Sequence, residues 1–293
     1  MEEHTLKGEY ISVLKDGRLS YGGSQRWSDS PVLRGYGCGV IAALDLLLYL
    51  ARQREVGSAQ STLAGGPVPW TLYDRWARQL SRRYMPAVPP VGTNGWAIAL
   101  GLNAVFLRQG IPLRASWGVS RDRLWTRMGE LLDRDVPVIL SIGRNFPRVW
   151  RNAETAFYTP GRESGPPACS TNAHFVTVTA MDEDYLTVSS WGHPYRLSRE
   201  EFDAYRREAS ASLLCTILDV RENRDAYHSR HTGPRPGMPG WGSVAYTSCS
   251  ISSTSSPNRA RALLTGSGEL MSTPAIFSRL MGSVLQPPDR NFL

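Results

Sequence analysis

The stretch Arg34–Leu50, RGYGCGVIAALDLLLYL, decides the fold, and it places one cysteine between two glycines directly ahead of an apolar run. Apolar residues occupy nearly every face of a helix that begins at Cys38, and such an all-round apolar helix is typical of the centre of a protein. Two interpretations of Cys38 stay open at this point. Free cysteine is among the most buried residue types, so Cys38 is either a packed core side chain or a nucleophile held at a helix start.

The segments around this helix predict an α+β fold, with helices first and strands later. Helices are predicted from Cys38 to about Gln53, over 71–84 and 96–109, from Ser120 to about Asp133, and over 198–209. Strands are predicted over 111–117 and 135–142 and in the segments AHFVTVTAMD, YLTVSSW and SLLCTILDV. Asn94 is interpreted as a helix cap, and the alternative is that it lines a cleft. Ser198 and Glu201 have the spacing of a capping box.

Composition divides the chain into three parts. Residues 1–33 are polar and turn-rich and predict a hairpin or an extended lead-in segment. Residues 34–224 carry the periodic hydrophobic pattern of a folded domain. Residues 225–293 are rich in Ser, Gly and Pro and predict a disordered tail. The long polar stretch Gly143–Asn172 is interpreted as a functional loop.

The charge and the cysteine content exclude several classes of protein. The net charge of +7 comes from scattered arginines. The sequence has no basic stripe interleaved with aromatic residues, which is the pattern that would favour nucleic-acid binding. The four cysteines form no CxxC pair, so neither a disulfide framework nor a structural zinc site is expected, and no cofactor is expected. The longest apolar run, Val40–Ala51, is too short to span a bilayer, and the N-terminus lacks the apolar core of a signal peptide. A cytoplasmic protein is expected, with its oligomeric state left open.

A reactive thiol must be a thiolate, and the free N–H groups of a helix start stabilise that anion. Cys38 sits where the apolar helix begins, and the flanking glycines Gly37 and Gly39 allow a substrate to approach the backbone closely. This placement also puts the N–H of Cys38 where an oxyanion would form.

A thiol nucleophile needs a base, and His174 is the first candidate among five histidines because it opens the alternating strand HFVTVTAM. His193 is the second candidate but is placed in a turn before proline. His228 and His231 fall in the predicted tail and are interpreted as solvated side chains.

In this order along the chain, the segments GCGVIAALDLLLYLA, LLDRDVPVILSI, NAHFVTVTAMDEDYLTV and YRLSREEFDAY resemble the papain-like cysteine peptidases. The resemblance is greatest to the double-glycine (bacteriocin-leader) peptidase branch and covers roughly residues 20–220. It implies a papain-like fold over 34–224, in which a buried nucleophile helix packs on an antiparallel sheet.

The resemblance also implies a role for each matching residue. Cys38 matches the nucleophile, and His174 matches the general base. Gln25 matches the glutamine that donates to the oxyanion, although it is farther from Cys38 in the sequence than is usual. The alternative interpretation of Gln25 is a residue of a turn. Where the family places Asn or Asp to orient the histidine, this chain has Ser189 and Ser190, and which of them takes that position stays open.

The resemblance therefore implies a thiol hydrolase that cleaves a peptide or protein substrate through an acyl-enzyme on Cys38. Two alternatives stay open, namely an acyltransferase that uses the same Cys–His pair and a catalytically inactive papain-like binding domain. Asp45 falls beneath Cys38 on the same helix face and is interpreted as a buried carboxylate with a local hydrogen bond, or as a group that organises the site.

Overall fold

The structure is a computed structural model and describes residues 3–55 and 66–223. In chain order, its strands and helices are β1 His4–Thr5, β2 Ser12–Lys15, β3 Arg18–Tyr21, α1 Pro31–Tyr36, α2 Cys38–Glu55, β4 Val68–Pro69, α3 Trp70–Arg83, α4 Gly95–Arg108, β5 Leu113–Trp117, α5 Leu124–Asp133, β6 Val138–Ile142, β7 Thr155–Phe157, β8 Cys169–Thr171, β9 His174–Met181, β10 Tyr185–Ser190, β11 His193–Ser198, α6 Arg199–Glu208 and β12 Leu218–Glu222. Short 3₁₀ turns cover Gln25–Trp27 and Arg121–Arg123. Helices and antiparallel sheets together confirm the α+β class.

The largest sheet is antiparallel and has β9 at its centre. Strand β10 pairs with one edge of β9, and β6 and β1 pair with the other edge at its two ends. Strand β11 extends the sheet beyond β10. Three smaller sheets pair β5 with β12, β2 with both β3 and β4, and β7 with β8.

Helix α2 lies in the middle of the larger of two hydrophobic clusters, because its side chains are apolar on every face. Its residues Val40, Leu46 and Tyr49 are fully buried, and the same cluster takes in α3, α4 and β5. The second cluster forms between α5, α6 and the large sheet. The helix that the sequence predicted as central is therefore packed on all sides.

Local signals placed several helix ends correctly. The Asn94 side chain accepts a hydrogen bond from the Ala97 N–H at 2.7 Å, so Asn94 caps α4, and Ser198 accepts from Glu201 N–H at 3.3 Å at the start of α6. The helix predicted from Ser120 begins later, at Leu124, because the Ser120 side chain makes no capping hydrogen bond and a 3₁₀ turn precedes α5.

Two strands were missed in the polar stretch 143–172, where β7 and β8 pair with each other. The turn predicted at His193 is also wrong, since His193 begins β11. Within the described residues, no helix is both long and apolar enough to cross a membrane. The predicted tail 225–293 lies outside the described residues, as do His228 and His231.

Candidate functional site

The five residues that the sequence singled out line one small cavity. Helix α2 begins at Cys38 and β9 begins at His174, and α2 packs against β9. Gln25, Ser189 and Ser190 line the same cavity, whose volume is about 10 Å³. That volume is close to the minimum for one water molecule, so the cavity as it stands does not admit a peptide.

The two glycines beside Cys38 are required for packing. A Cβ on Gly37 would lie 2.5 Å from the Leu33 carbonyl oxygen, and one on Gly39 would lie 2.7 Å from the Ile98 side chain. Both distances are shorter than real contacts allow, so any side chain here would push α2 away from its neighbours. The sequence predicted that these glycines leave room for a substrate. In the structure they allow close contact between parts of the protein itself.

The surroundings of Cys38 favour the neutral thiol. Burial raises the pKa of the Cys38 thiol, and backbone groups at Phe175, Gly39 and Cys38 itself lower it by less. The helix start does stabilise a thiolate, but here the loss of solvation outweighs it.

His174 is likewise held neutral. Its side chain is buried, and that burial, with a smaller contribution from the charge of Arg26, lowers the pKa of His174 to about 3. The ring stacks on Trp191 with 4.4 Å between ring centroids, and the Arg26 guanidinium lies 4.2 Å from the Trp191 ring centroid. Burial thus favours the neutral form of both Cys38 and His174, which works against the thiolate–imidazolium pair that nucleophilic catalysis needs.

The structure separates the two serines. Ser190 Oγ lies 2.7 Å from His174 Nε2, whereas Ser189 Oγ donates to the Tyr21 carbonyl oxygen at 2.8 Å. Ser190 is therefore the serine that faces the imidazole, and Ser189 ties β10 to the β3 end of the N-terminal hairpin. A serine hydroxyl carries no charge, so it stabilises an imidazolium less than an aspartate carboxylate does.

Gln25 opens the first 3₁₀ turn, and its side-chain amide donates to the Arg34 carbonyl oxygen at 3.3 Å. The residue lines the cavity, and that amide hydrogen bond also joins the turn to α1. The structure therefore shows Gln25 as a turn residue whose side-chain amide is engaged by Arg34, and its role toward an oxyanion stays a prediction.

Asp45 lies beneath the cavity and is satisfied by distant residues instead of by a local hydrogen bond. It accepts from the Tyr73 hydroxyl at 2.6 Å, from the Tyr10 hydroxyl at 3.0 Å and from the Gly23 N–H at 3.2 Å. Burial raises the pKa of Asp45 to about 6, against the smaller opposing effect of these three donors. The carboxylate therefore joins α2, α3 and the N-terminal segment.

Sequence reasoning missed Tyr10, Tyr73 and Arg26 as parts of this region, because each lies far along the chain from the group it contacts. Trp191, which stacks on His174, follows the last residue of β10. Its positive φ of 50°, next to Gly192 at 83°, makes the tight β10–β11 turn. In the part of the chain that the structure describes, His, Cys, Asp and Glu side chains form no group of three that could hold a metal ion.

Alkylation of Cys38 is expected to be slow at neutral pH, because a half-buried thiol with a raised pKa holds little thiolate there. Its rate with iodoacetamide, followed by mass spectrometry of the Cys38 peptide from pH 5 to 10, should keep rising across the alkaline part of this range without a plateau near neutral pH. The His174→Ala variant should give the same profile, with the Cys169 peptide of each digest as the internal comparison. A rate plateau below pH 7 that disappears in His174→Ala would contradict the neutral pair.

Comparison with known proteins points away from a peptidase. A search of curated proteins found no match to the chain. One family model, described as the Caudal like protein activation region, matches residues 146–266, which is less than half of the chain. This match overturns the interpretation as a papain-like cysteine peptidase, and with it the hydrolase class and the thiol-protease chemistry. The acyltransferase and inactive-peptidase alternatives have no support either. Over residues 146–266 the chain is similar to an activation region of Caudal-like proteins.

Proposed function

We propose that this protein regulates transcription and that residues 146–266 act as its activation region by contacting a protein of the transcription apparatus. The family-model match carries this proposal. No direct contact with nucleic acid is proposed for the chain, since its arginines are scattered. The partner is instead a protein surface.

The described part of the matched region begins with an exposed apolar loop. The side chains of Phe146, Val149 and Trp150 are all exposed, and Trp150 keeps 76 % of its surface in contact with water. Tryptophan is among the residues that contribute most to protein–protein binding. An exposed apolar cluster at this place supports a protein-binding role.

Hydrogen bonds on both sides hold this loop in place. Arg144 donates to the Pro90 carbonyl oxygen at 2.6 Å, and Arg148 donates to the carbonyl oxygens of Arg207 and Glu208 at the end of α6, at 2.9 and 2.6 Å. A loop that is already ordered loses less conformational entropy when it binds. The folded domain thus presents Val149 and Trp150 to a partner.

For the fold, we propose that the arrangement of α2 on the antiparallel sheet is papain-like in its architecture. The support is the packing of α2 against β9, with Cys38 and His174 at the adjoining ends of these elements. For the five cavity residues Gln25, Cys38, His174, Ser189 and Ser190, we propose an uncharged, closely packed group that orders this junction, with His174 and Ser190 joined by a hydrogen bond.

A transcriptional role also bears on location. The cytoplasmic location expected from the sequence suits a cell in which transcription takes place in the cytoplasm, whereas a cell with a nucleus requires nuclear entry. Fractionation of the tagged full chain distinguishes these two locations.

A reporter experiment tests the function. The full chain fused to a heterologous DNA-binding domain should activate a reporter, and Val149→Ser/Trp150→Ser should reduce that activation about thirtyfold, since loss of one binding hot spot costs about 2 kcal/mol. Leu19→Ser is the matched control, because Leu19 is 66 % exposed and lies outside the matched residues.

The melting temperature of each variant should stay near that of the wild type, because the replaced side chains are exposed. Two results would contradict the proposal. One is a full-chain fusion that activates no more than the DNA-binding domain alone, and the other is an equal loss of activation in Leu19→Ser.

A further inference from the structure

Helix α4 is apolar on two opposite faces, and one of those faces is exposed. Ile98, Leu102 and Phe106 are buried in the core, whereas Leu100 and Leu107 on the opposite side keep 70 % and 84 % of their surface exposed. A helix that is apolar all round is normally buried all round.

The exposed residues form one continuous stripe. Trp96, Leu100, Ala104 and Leu107 follow one another at steps of four, four and three residues, which places them on one side of the helix. We call this the outer face of α4. Contiguous exposed apolar surface of this kind marks a place where another segment or molecule binds.

We propose that the outer face of α4 is covered by a segment of the same chain, residues 276–285. The apolar residues of this segment are Ile276, Phe277, Leu280, Met281, Val284 and Leu285. Their spacing of three and four residues is the pattern of one helix face, and Pro274 precedes them at a position that favours a helix start. The segment therefore offers an apolar stripe that can pack against the outer face of α4.

The place where the described fold ends supports this occupant. Strand β12 runs antiparallel to β5, with Glu222 opposite Leu113, and the Asn223 N–H donates to the Pro112 carbonyl oxygen at 2.9 Å. Pro112 is five positions beyond Leu107 in the sequence. The chain therefore leaves the described fold close to the C-terminal end of α4.

The length of the intervening chain also permits the contact. About fifty residues separate Asn223 from Ile276, and an extended chain spans up to about 3.3 Å per residue. Helix α4 has 14 residues and is thus about 21 Å long at 1.5 Å per residue. The segment can reach any point of the outer face, and being part of the same chain it is always present at high local concentration.

Photo-cross-linking in the full chain tests this proposal. A p-benzoylphenylalanine in place of Leu107 should form a cross-link within one chain, and peptide mass spectrometry should locate it in residues 275–285. The same probe in place of the exposed Leu19 on β3 is the control and should not capture that segment.

Two variants make the test specific. Phe277→Ser/Leu280→Ser should lose the cross-link from position 107, whereas Leu263→Ser/Leu264→Ser, an apolar pair outside the 276–285 pattern, should retain it. The proposal is overturned if position 107 captures a second copy of the chain, seen as a doubled mass on a denaturing gel. It is equally overturned if no cross-link forms or if Phe277→Ser/Leu280→Ser leaves the cross-link unchanged.

Discussion

Replacing Asp45 with alanine should lower the free energy of unfolding by about 4 kcal/mol at pH 4.5, because each buried donor left without an acceptor costs about 1–3 kcal/mol. The variant removes the acceptor for the hydroxyls of Tyr10 and Tyr73 and for the Gly23 N–H. Asp45 itself is 1 % exposed, so water does not replace the lost carboxylate. Urea denaturation followed by circular dichroism measures the change.

The loss in Asp45→Ala should shrink as the pH rises. The pKa of Asp45 is raised to about 6 in the folded protein, whereas an unfolded aspartate titrates near pH 4. A raised carboxyl pKa stabilises the fold fully below about pH 4, and that contribution is lost as the pH rises through 6. The wild type should thus lose about 3 kcal/mol from this group between pH 4 and 7, and the variant should not.

The exposed Asp122 supplies the matched control, since Asp122→Ala should change the free energy of unfolding by less than about 0.5 kcal/mol. A constant difference between wild type and Asp45→Ala from pH 4 to 8 would show that Asp45 is ionised throughout. In that case the three donors would outweigh burial.

The second large effect is expected at the buried ion pair between α5 and β12. Arg127 contacts Asp219 through its Nε at 2.8 Å and its Nη2 at 2.7 Å, and Asp219 is fully buried. Arg127→Met should lower the free energy of unfolding by about 3–5 kcal/mol, because it leaves a buried carboxylate without its main partner. Arg221 also contacts Asp219 but is itself largely exposed, which favours the lower end of that range.

A second variant separates the charge effect from packing. Arg127→Met/Asp219→Leu removes both charges, and it should be more stable than Arg127→Met alone, since apolar pairs often replace buried ion pairs without loss. Arg123→Met, a change of an exposed arginine just before α5, controls for the loss of a surface charge. A double variant no more stable than Arg127→Met would show that packing, and not the unpaired carboxylate, sets the cost.

Local pattern was sufficient for several elements of this fold. The apolar run after Gly39 predicted α2, Asn94 predicted the start of α4, and Ser198 with Glu201 predicted the start of α6. Each signal depends on side chains within about one helical turn of each other, so the sequence contains all the partners. The short strands β7 and β8 escaped because each has three residues and is stabilised by pairing with the other.

The candidate site shows the same division. The sequence predicted that Cys38 and His174 lie together. In the structure both line one cavity, together with Gln25, Ser189 and Ser190. Which serine faces the imidazole depended on the register of β10 against β9, which spacing alone does not give.

By itself, the sequence determined the α+β class, the central helix α2 and the residues that meet at its N-terminal end. Only the tertiary structure decided the charge states there, because they depend on how much water the surrounding segments exclude. Burial by residues distant in the chain favours the neutral forms of Cys38 and His174 and raises the pKa of Asp45. A helix start favours a thiolate through local backbone groups, but desolvation is a property of the assembled fold, and here it is the larger effect.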